Sequence, residues 1–295
     1  MERLAIKITT GLQAKIRGTA LLLVGIFVLI VFFLPILNLI LYPFVKNGSA
    51  SGTHLVLAVL KSELFESTVQ TTITVAVLAS LSSTLLGLVV AFALYCIRDR
   101  RLESLFLATL IAAYSTLTII RTIAIQITLS PDNVIAVVIA KLLGVQSMSL
   151  RLDSSLSGLL IGLLHFLLPA SIIYVYVGFR RIPINIIRAS RILSVSSTRA
   201  ALLVFWPALR MRLLYLTFIN FLLCLGAFVT PSILGGAAGE MISNVINERM
   251  RTSDALDQAL LLGGVFSMAC FIVVTAFGIL CRGALTSDVQ YSKPS

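Results

Sequence analysis

Six long apolar stretches, separated by short polar segments, constrain the fold of this chain more than any other feature. Each provides the roughly 20 apolar residues that a helix needs to cross the hydrocarbon core of a bilayer. Of the 295 residues, 58% are hydrophobic and only 12% are charged, which is too apolar for a water-soluble domain. The sequence therefore predicts an all-α membrane protein with about six transmembrane helices. The predicted spans lie near 18–41, 68–97, 104–128, 155–179, 212–234 and 256–281.

These spans are predicted to form a single transmembrane domain over residues 18–281. An N-terminal segment at 1–17 precedes the domain and a tail at 282–295 follows it. The first apolar run is longer than the core of a typical signal peptide, so we expect it to stay in place as a span.

The basic residues alternate between the two sides of the predicted membrane. Sixteen lysines and arginines fall in the two terminal segments, the 98–103 loop and the segment 180–212, against six in the other loops. The positive-inside rule therefore predicts that both termini lie in the cytoplasm. Because the net charge of +11 gathers beside apolar spans, it indicates contact with the lipid bilayer rather than binding of nucleic acid.

Small side chains follow one face of two predicted spans. Such ridges let helix backbones approach closely in lipid, where no hydrophobic force presses helices together. The fourth span has Gly158 and Gly162, one helical turn apart, and the sequence predicts packing seams on both spans. The ridge on the second span consists of Ala76, Ser80, Ser83, Gly87 and Ala91.

Polar side chains within the spans are candidates for a translocation pathway. Arg121 is the one basic residue inside a predicted span, and a charge there is costly unless it faces a bundle interior or water. Two interpretations of Arg121 stay open, pairing with helix carbonyls or lining the path. The polar residues of the fifth span could likewise face the cavity or a neighbouring helix. Besides Arg121, the candidates are Thr118, Thr122 and Gln126 in the third span, on a stripe with Ser115, and Thr217 and Asn220 in the fifth.

The sequence offers no catalytic or cofactor-binding centre. It lacks paired carboxylates within the spans and a phosphate-binding G-x-x-x-x-G-K-[ST] motif. We therefore expect a non-catalytic chain that binds no metal or cofactor, with any ATP and Mg²⁺ held by another polypeptide. Transport is the favoured function. A self-contained secondary carrier or channel is the main alternative, and a membrane-bound scaffold is a third.

The predicted cytoplasmic loop at 180–211 contains an amphipathic segment. Ile182, Ile186, Ala189 and Leu193 follow one another at helical spacing, while arginines project from roughly the opposite side. This pattern fits either an interfacial helix on anionic lipid or a helix that docks onto a cytoplasmic partner. Amphipathicity alone does not choose between them.

The stretch from Arg180 to Leu214 resembles the EAA loop of permease subunits in binding-protein-dependent ABC importers. Pro183 fits the opening of that pattern, Ala189 its first alanine and Pro207 its closing proline. Other positions depart from it: Arg188 replaces the usual glutamate, Ser190 the second alanine, Ser194 the glycine and Trp206 the leucine.

Two further stretches are similar to the spermidine/putrescine-type permeases, and to their first-permease subunit in particular. LGAFVTPSILGGAAGEMISNVI, from Leu225 to Ile246, resembles the segment at the outer end of their fifth span. LTIIRTIAIQI in the third span resembles their Leu-Val-Arg-Thr-Tyr-Ala-Trp signature, with Ile125 in place of the tryptophan. With the opening of the second span, the resemblance extends over about residues 66–280.

This resemblance implies a type I ABC importer fold and a heteromeric, ATP-driven importer of a small polar solute such as a polyamine. The implied partners are a second permease, a dimer of ATP-binding subunits and an extracytoplasmic solute-binding protein. In the family, the loop helix occupies a groove of the ATPase and couples its closure to the spans. The positions expected to contact the ATPase are Ile186, Arg188, Ala189, Ser190, Ser194 and Ser197.

Overall fold

The computed structural model describes residues 19–47, 61–141, 154–182, 205–252 and 256–290, apart from positions 21, 28, 98, 135, 136, 139 and 140, together with the single positions 54 and 58. These residues form helices and turns, with no strand among them. The chain divides into two compact units. One is Ser62–Val245, and the other combines Met1–Lys61 with Ile246–Ser295.

The helices confirm the predicted all-α membrane fold. Among the described residues, five helical segments are long and apolar enough to cross a membrane, and a sharply bent helix pair would make a sixth. In chain order, the helices are α1 (Leu34–Asn47, after a π-helical turn at Leu29–Phe33), α2 (Glu63–Cys96), α3 (Arg100–Ser115), α4 (Thr118–Leu129), α5 (Leu156–Arg180), α6 (Trp206–Leu225), α7 (Val229–Leu234), α8 (Ile242–Arg251) and α9 (Leu256–Gln290).

Side-chain caps fix where three of these helices begin. Ser62 accepts a hydrogen bond from the Phe65 amide at 3.3 Å, at the start of α2. Asp99 accepts from the Arg101 amide at 2.8 Å before α3, and Ser155 from the Gly158 amide at 3.1 Å before α5. Each cap satisfies one of the amides that a helix leaves open at its N-terminus. The second span therefore begins at Glu63, ahead of the predicted position 68.

The core of the unit Ser62–Val245 is formed by α2, α5 and α6. The predicted ridge on α2 is confirmed, because all five of its members are buried. Gly87 lies so close to α5 that an added Cβ would stand 2.9 Å from the Cβ atom of Ser171. Gly162, on the predicted seam of α5, is packed equally closely against Thr230 and Leu234 of α7. Small residues therefore set the helix spacing, as expected in lipid.

Aromatic rings gather where α2 ends, α5 ends and α6 begins. Phe179 stacks on Tyr95 with 5.4 Å between ring centroids, and its centroid lies 5.7 Å from that of Phe92 and 5.5 Å from that of Phe205. We call Phe92, Tyr95, Phe179 and Phe205 the aromatic cluster. The neighbouring helix ends carry Arg100, Arg101, Arg180, Arg181, Arg210 and Arg212, and this region is called the basic end below.

The third predicted span is not one continuous helix. The chain turns by 99° between α3 and α4. Thr116 and Leu117 at the break have extended ψ angles of 141° and 131°. Neither glycine nor proline marks this position, so the apolar pattern over 104–128 predicts a single helix. The break also removes Ser115 from the polar stripe that was assigned to this span.

Two other helix bounds differ from the predicted ones. The fifth span begins at Trp206 rather than 212, because Pro207 lies in its first turn, where a proline is favourable. It ends at Leu225, and the predicted remainder to 234 instead contains Gly226 and the separate short helix α7. In the other unit, α9 continues beyond the predicted 281 to Gln290.

Within the second unit, α1 packs against α9. The ring of Phe33, in the π-helical turn, meets Phe271 edge to face with 4.6 Å between centroids. Arg249 of α8 donates a hydrogen bond to Gln258 of α9.

Candidate translocation site

Hydroxyl and amide side chains connect α2, α5 and α6 in the middle of their interface. Asn220 of α6 donates to the Ser171 hydroxyl of α5 at 2.9 Å, and that hydroxyl lies 2.9 Å from the hydroxyl of Ser83 on α2. All three side chains are buried, with at most 2% of their surface exposed. Because buried polar atoms in lipid must find protein partners, this contact fixes the register of three helices at once.

A second contact extends this polar line towards the basic end. Thr217, one turn before Asn220 on α6, donates to the Thr84 hydroxyl of α2 at 3.1 Å and to the Leu213 carbonyl at 2.9 Å. Thr217 is half-buried and Thr84 is buried. We call Ser83, Thr84, Ser171, Thr217 and Asn220 the polar seam.

The polar residues of α4 face a different neighbour, the short helix α7. The Thr122 hydroxyl lies 3.5 Å from that of Thr230, and the Gln126 amide donates to the Ile233 carbonyl at 3.2 Å. Thr118 contributes its carbonyl to the Thr122 hydroxyl at 2.8 Å. The half-helix α4 is therefore held to α7 by polar contacts at two successive turns.

Arg121 lies on α4 and donates hydrogen bonds to the C-terminal end of α3. Its Nη2 atom donates to the carbonyl of Ala113 at 2.5 Å, of Tyr114 at 3.0 Å and of Thr116 at 2.9 Å. Its Nε and Nη2 atoms also lie 3.2 and 3.0 Å from the Thr116 hydroxyl. These are the carbonyls that a helix C-terminus leaves open, and the negative end of the helix dipole favours a cation there. This geometry favours the interpretation of Arg121 as a partner of helix carbonyls.

One nitrogen of the same guanidinium has no hydrogen-bond partner among the residues that the structure describes. Nη1 of Arg121 is buried without a hydrogen bond to any described residue, while the side chain as a whole is 7% exposed. Arg121 thus combines a structural role at the helix break with an unused donor among the membrane-spanning elements.

The structure divides the six predicted pathway residues into two groups. Those of α4 are paired with the end of α3 and with α7, whereas Thr217 and Asn220 are paired with α2 and α5. α4 and α6 share no extensive contact in the part of the chain that the structure describes. Both groups meet α5, since α4, α6 and α7 all pack on that helix.

The predicted ATPase contacts lie outside the described residues. Ile186, Arg188, Ala189, Ser190, Ser194 and Ser197 all fall within 183–204. The two residues that flank this segment, Ile182 and Phe205, are both packed against the core at the basic end. The segment therefore leaves and rejoins the helices at the same cluster of side chains.

Sequence reasoning missed four residues of the polar seam and of the α4–α7 contacts as site residues. Ser83 was assigned only to a packing ridge, while Thr84, Ser171 and Thr230 were not singled out. A serine in the middle of the apolar α5 and a threonine in the Gly-Ala-Phe-Val-Thr-Pro stretch carry no periodic signal. Only the tertiary contact with a polar residue on another helix distinguishes them.

A curated relative is similar to most of the chain. The spermidine/putrescine transport system permease protein PotB of Salmonella typhimurium is 27% identical over 229 residues, which cover 76% of this chain and 79% of that protein. PotB of Salmonella typhi gives the same values. No family model matches the sequence.

Solved structures of similar fold extend the likeness to almost the whole chain. A chain of a bacterial alginate ABC transporter, crystallised with an alginate pentasaccharide-bound periplasmic protein, superposes with a TM-score of 0.74. The match covers 92% of this chain and 96% of that one, at 14% identity. A second structure of a bacterial ABC transporter that imports the acidic polysaccharide alginate gives a TM-score of 0.73. The resemblance in the motifs is thus confirmed: in sequence and in fold, this chain is similar to the permease subunits of binding-protein-dependent ABC importers.

Proposed function

We propose that this chain is the transmembrane permease subunit of an ATP-driven ABC importer. Together with a second permease it forms the pathway for a small polar solute of the polyamine type. It performs no catalysis itself. ATP and Mg²⁺ bind to a separate dimer of ATPase subunits, and an extracytoplasmic binding protein delivers the solute.

The observation that carries this proposal is the similarity to a spermidine/putrescine permease over 229 residues. The 229 aligned residues extend well beyond the degenerate loop motif and include most of the spans. The fold supports it, because the polar seam and the α4–α7 contacts place hydroxyl and amide groups within an otherwise apolar bundle. Such groups suit a path for a solute that must shed water as it crosses.

Coupling to the ATPase is proposed to run through the segment 183–204. Its flanks at Ile182 and Phe205 are anchored at the basic end. A push on the segment would therefore act directly on α5 and α6, which also carry Ser171, Thr217 and Asn220. We infer from the positive-inside rule that this arginine-rich end lies in the cytoplasm. The membrane is proposed to be a bacterial inner membrane, by analogy with the bacterial relative.

Reconstitution of the complete assembly tests this proposal. The tagged full chain is co-expressed with its candidate second permease and ATPase, purified, and placed in liposomes with the binding protein outside. Uptake of labelled spermidine should require both ATP inside the liposomes and the binding protein. The matched control is the same assembly with the catalytic glutamate of the ATPase replaced by glutamine.

Two results would contradict the proposal in different ways. ATP-dependent uptake of another solute, but not of spermidine, would keep the importer and remove the polyamine-type cargo. A homomeric assembly of this chain that transports without ATP would instead establish the self-contained carrier or channel.

A further inference from the structure

An open groove runs between α3 and α5 at the basic end. It encloses about 520 Å³, in the unit Ser62–Val245. Its mouth is polar, formed by Arg100, Glu103, Ser104 and Arg180. Deeper along α3 its wall is apolar, formed by Leu107, Ala108 and Ile111. The groove is separate from the polar seam, which lies between α2, α5 and α6.

The charges at the mouth favour an anion. The carboxylate of Glu103 already accepts a hydrogen bond from Tyr176, which ties α3 to α5 across the groove. Arg100 and Arg180 are exposed, and neither guanidinium is hydrogen-bonded or ion-paired to another described residue. Two guanidinium groups without a hydrogen bond to any residue that the structure describes, around one engaged carboxylate, leave a net positive site. Guanidinium is the side-chain group best suited to phosphate oxygens, which it can bind in a bidentate manner.

The change from polar to apolar lining matches the shape of a phospholipid. Eleven residue steps separate Arg100 from Ile111, which is about 16 Å along a helix. Half of a typical hydrocarbon core is about 15 Å thick. A headgroup phosphate at Arg100 and Arg180 would therefore have its acyl chain alongside Leu107, Ala108 and Ile111. α3 has no buried residue, so its open face is available to lipid.

We propose that this groove is a binding site for an anionic phospholipid, held by Arg100 and Arg180 at the headgroup and by the apolar wall of α3 along one acyl chain. The bound lipid fills the space between α3 and α5 and steadies α3, which contacts the rest of its unit mainly through α5. This assignment does not depend on which solute is transported, or on whether the chain transports at all.

Native mass spectrometry of the detergent-purified full chain tests the site. Dioleoyl-phosphatidylglycerol is titrated against the chain, with dioleoyl-phosphatidylcholine as the neutral lipid. We expect one phosphatidylglycerol to be retained preferentially. The double variant Arg100→Gln with Arg180→Gln should weaken that retention roughly thirtyfold, given what each of the two arginines contributes near an anionic lipid surface. The matched control is Arg101→Gln with Arg181→Gln, which removes the same charge from exposed neighbours outside the groove.

A second pair of variants tests the apolar wall without changing charge. Ala108→Phe fills the groove and should displace the acyl chain, whereas Thr109→Phe adds bulk on an exposed face of α3 outside the groove and should leave retention unchanged. Thermal unfolding of each variant is measured without added lipid. If the glutamine pair unfolds earlier even without added lipid, it is replaced by Arg100→Lys with Arg180→Lys. This lysine pair keeps the charge but loses the bidentate geometry. It should weaken lipid retention less than the glutamine pair.

Three outcomes would overturn the proposal. If the control pair Arg101→Gln with Arg181→Gln reduced phosphatidylglycerol retention as much as the groove pair, the lipid would be responding only to general positive charge. Displacement of the lipid by millimolar sodium phosphate would identify the ligand as a free anion. Retention by the isolated chain that disappears in the assembly with the second permease and the ATPase would mean that a protein partner covers the groove.

Discussion

At the scale of single residues, the surroundings of Arg121 explain how a guanidinium can lie within an apolar chain. The cost of burying a cation is offset by three carbonyls and a hydroxyl at the end of α3. The same contacts give those carbonyls the partners that the helix break removed. The guanidinium of Arg121 and the break between α3 and α4 thus stabilise each other.

Arg121→Gln should lower the stability of the purified assembly by about 1 to 3 kcal/mol, because buried carbonyls then lose a charged donor. Arg121→Lys should fall between Gln and wild type, since one ammonium cannot reproduce the planar fork. Thermal unfolding in detergent measures the effect. Loss of solute uptake by Arg121→Gln at unchanged stability would instead place the residue in the pathway, where its unpaired Nη1 would meet the solute.

The contact between Asn220 and Ser171 should contribute measurable coupling between α5 and α6. A double-mutant cycle of Asn220→Leu and Ser171→Ala is expected to give about 0.6 kcal/mol, and at most about 1.7, as for other interhelical hydrogen bonds in membranes. The control cycle pairs Asn220→Leu with Ser232→Ala, an exposed side chain that bonds only to its own helix. A coupling energy of zero in the first cycle would show that the contact does not stabilise the interface.

At the scale of helices, the spacing between α2 and α5 is set by a residue without a side chain. A Cβ atom at Gly87 would meet not only the Cβ of Ser171 at 2.9 Å but also its carbonyl carbon at 3.3 Å. Backbone atoms cannot rotate away, so the two helices would have to separate. That movement would also stretch the hydrogen bond between Ser83 and Ser171.

Gly87→Ala should therefore destabilise the bundle by about 1 to 3 kcal/mol, as expected for overpacking. Gly278→Ala on α9 is the matched control, because nothing lies within 4 Å of its added Cβ. That control should be neutral or slightly stabilising, since alanine favours helix more than glycine does. Equal unfolding temperatures for Gly87→Ala and wild type would contradict the close approach of α2 and α5.

Phe205 directly follows the segment 183–204 and packs in the aromatic cluster against Tyr95 of α2 and Phe179 of α5. Phe205→Ala removes ring contacts with Phe179, Tyr95 and Phe92 at centroid distances between 5.5 and 6.3 Å. Each such contact is worth about 0.5 to 1.5 kcal/mol beyond its buried area. We expect the variant to retain the ATPase subunit but to import several-fold less solute per ATP hydrolysed.

The neighbouring Trp206→Ala provides the control for this prediction, because its side chain is 56% exposed and takes part in none of the ring pairs. The two quantities to compare are the uptake rate and the ATPase rate of the same reconstituted preparation. If Phe205→Ala assembled normally and imported as much solute per ATP hydrolysed as wild type, the aromatic cluster would be excluded as the link between ATP hydrolysis and the spans.

At the scale of the whole molecule, the proposed function makes this chain the membrane-embedded subunit of a larger assembly. The segment 183–204 is expected to be the part of the chain that contacts the ATPase. Ala189→Asp places a charge on the predicted apolar ridge of that segment and should weaken ATPase association by roughly a hundredfold or more, the order expected for a buried unpaired charge. Ile187→Asp, with the same charge on the opposite side of the same predicted helix, is the control. Normal ATPase association and uptake with Ala189→Asp would remove the docking assignment.

The sequence by itself determined that the chain is an all-α membrane protein and which family it resembles. Both follow from local signals: apolar length, the side on which arginines gather, and short motifs such as Gly-Ala-Phe-Val-Thr-Pro. It also placed the ridge on α2 correctly, because small residues at helical spacing have a physical effect wherever another helix meets them.

Only the tertiary structure decided where the third span breaks and which polar residues meet. No glycine or proline marks Thr116, and the break is stabilised by Arg121, whose partners lie five to eight residues earlier in the chain. Likewise, Ser83 and Ser171 become one contact only because α2 and α5 approach closely at Gly87. Apolar patterning records that a segment prefers lipid, but it carries no information about which buried hydroxyl finds which partner across a helix interface.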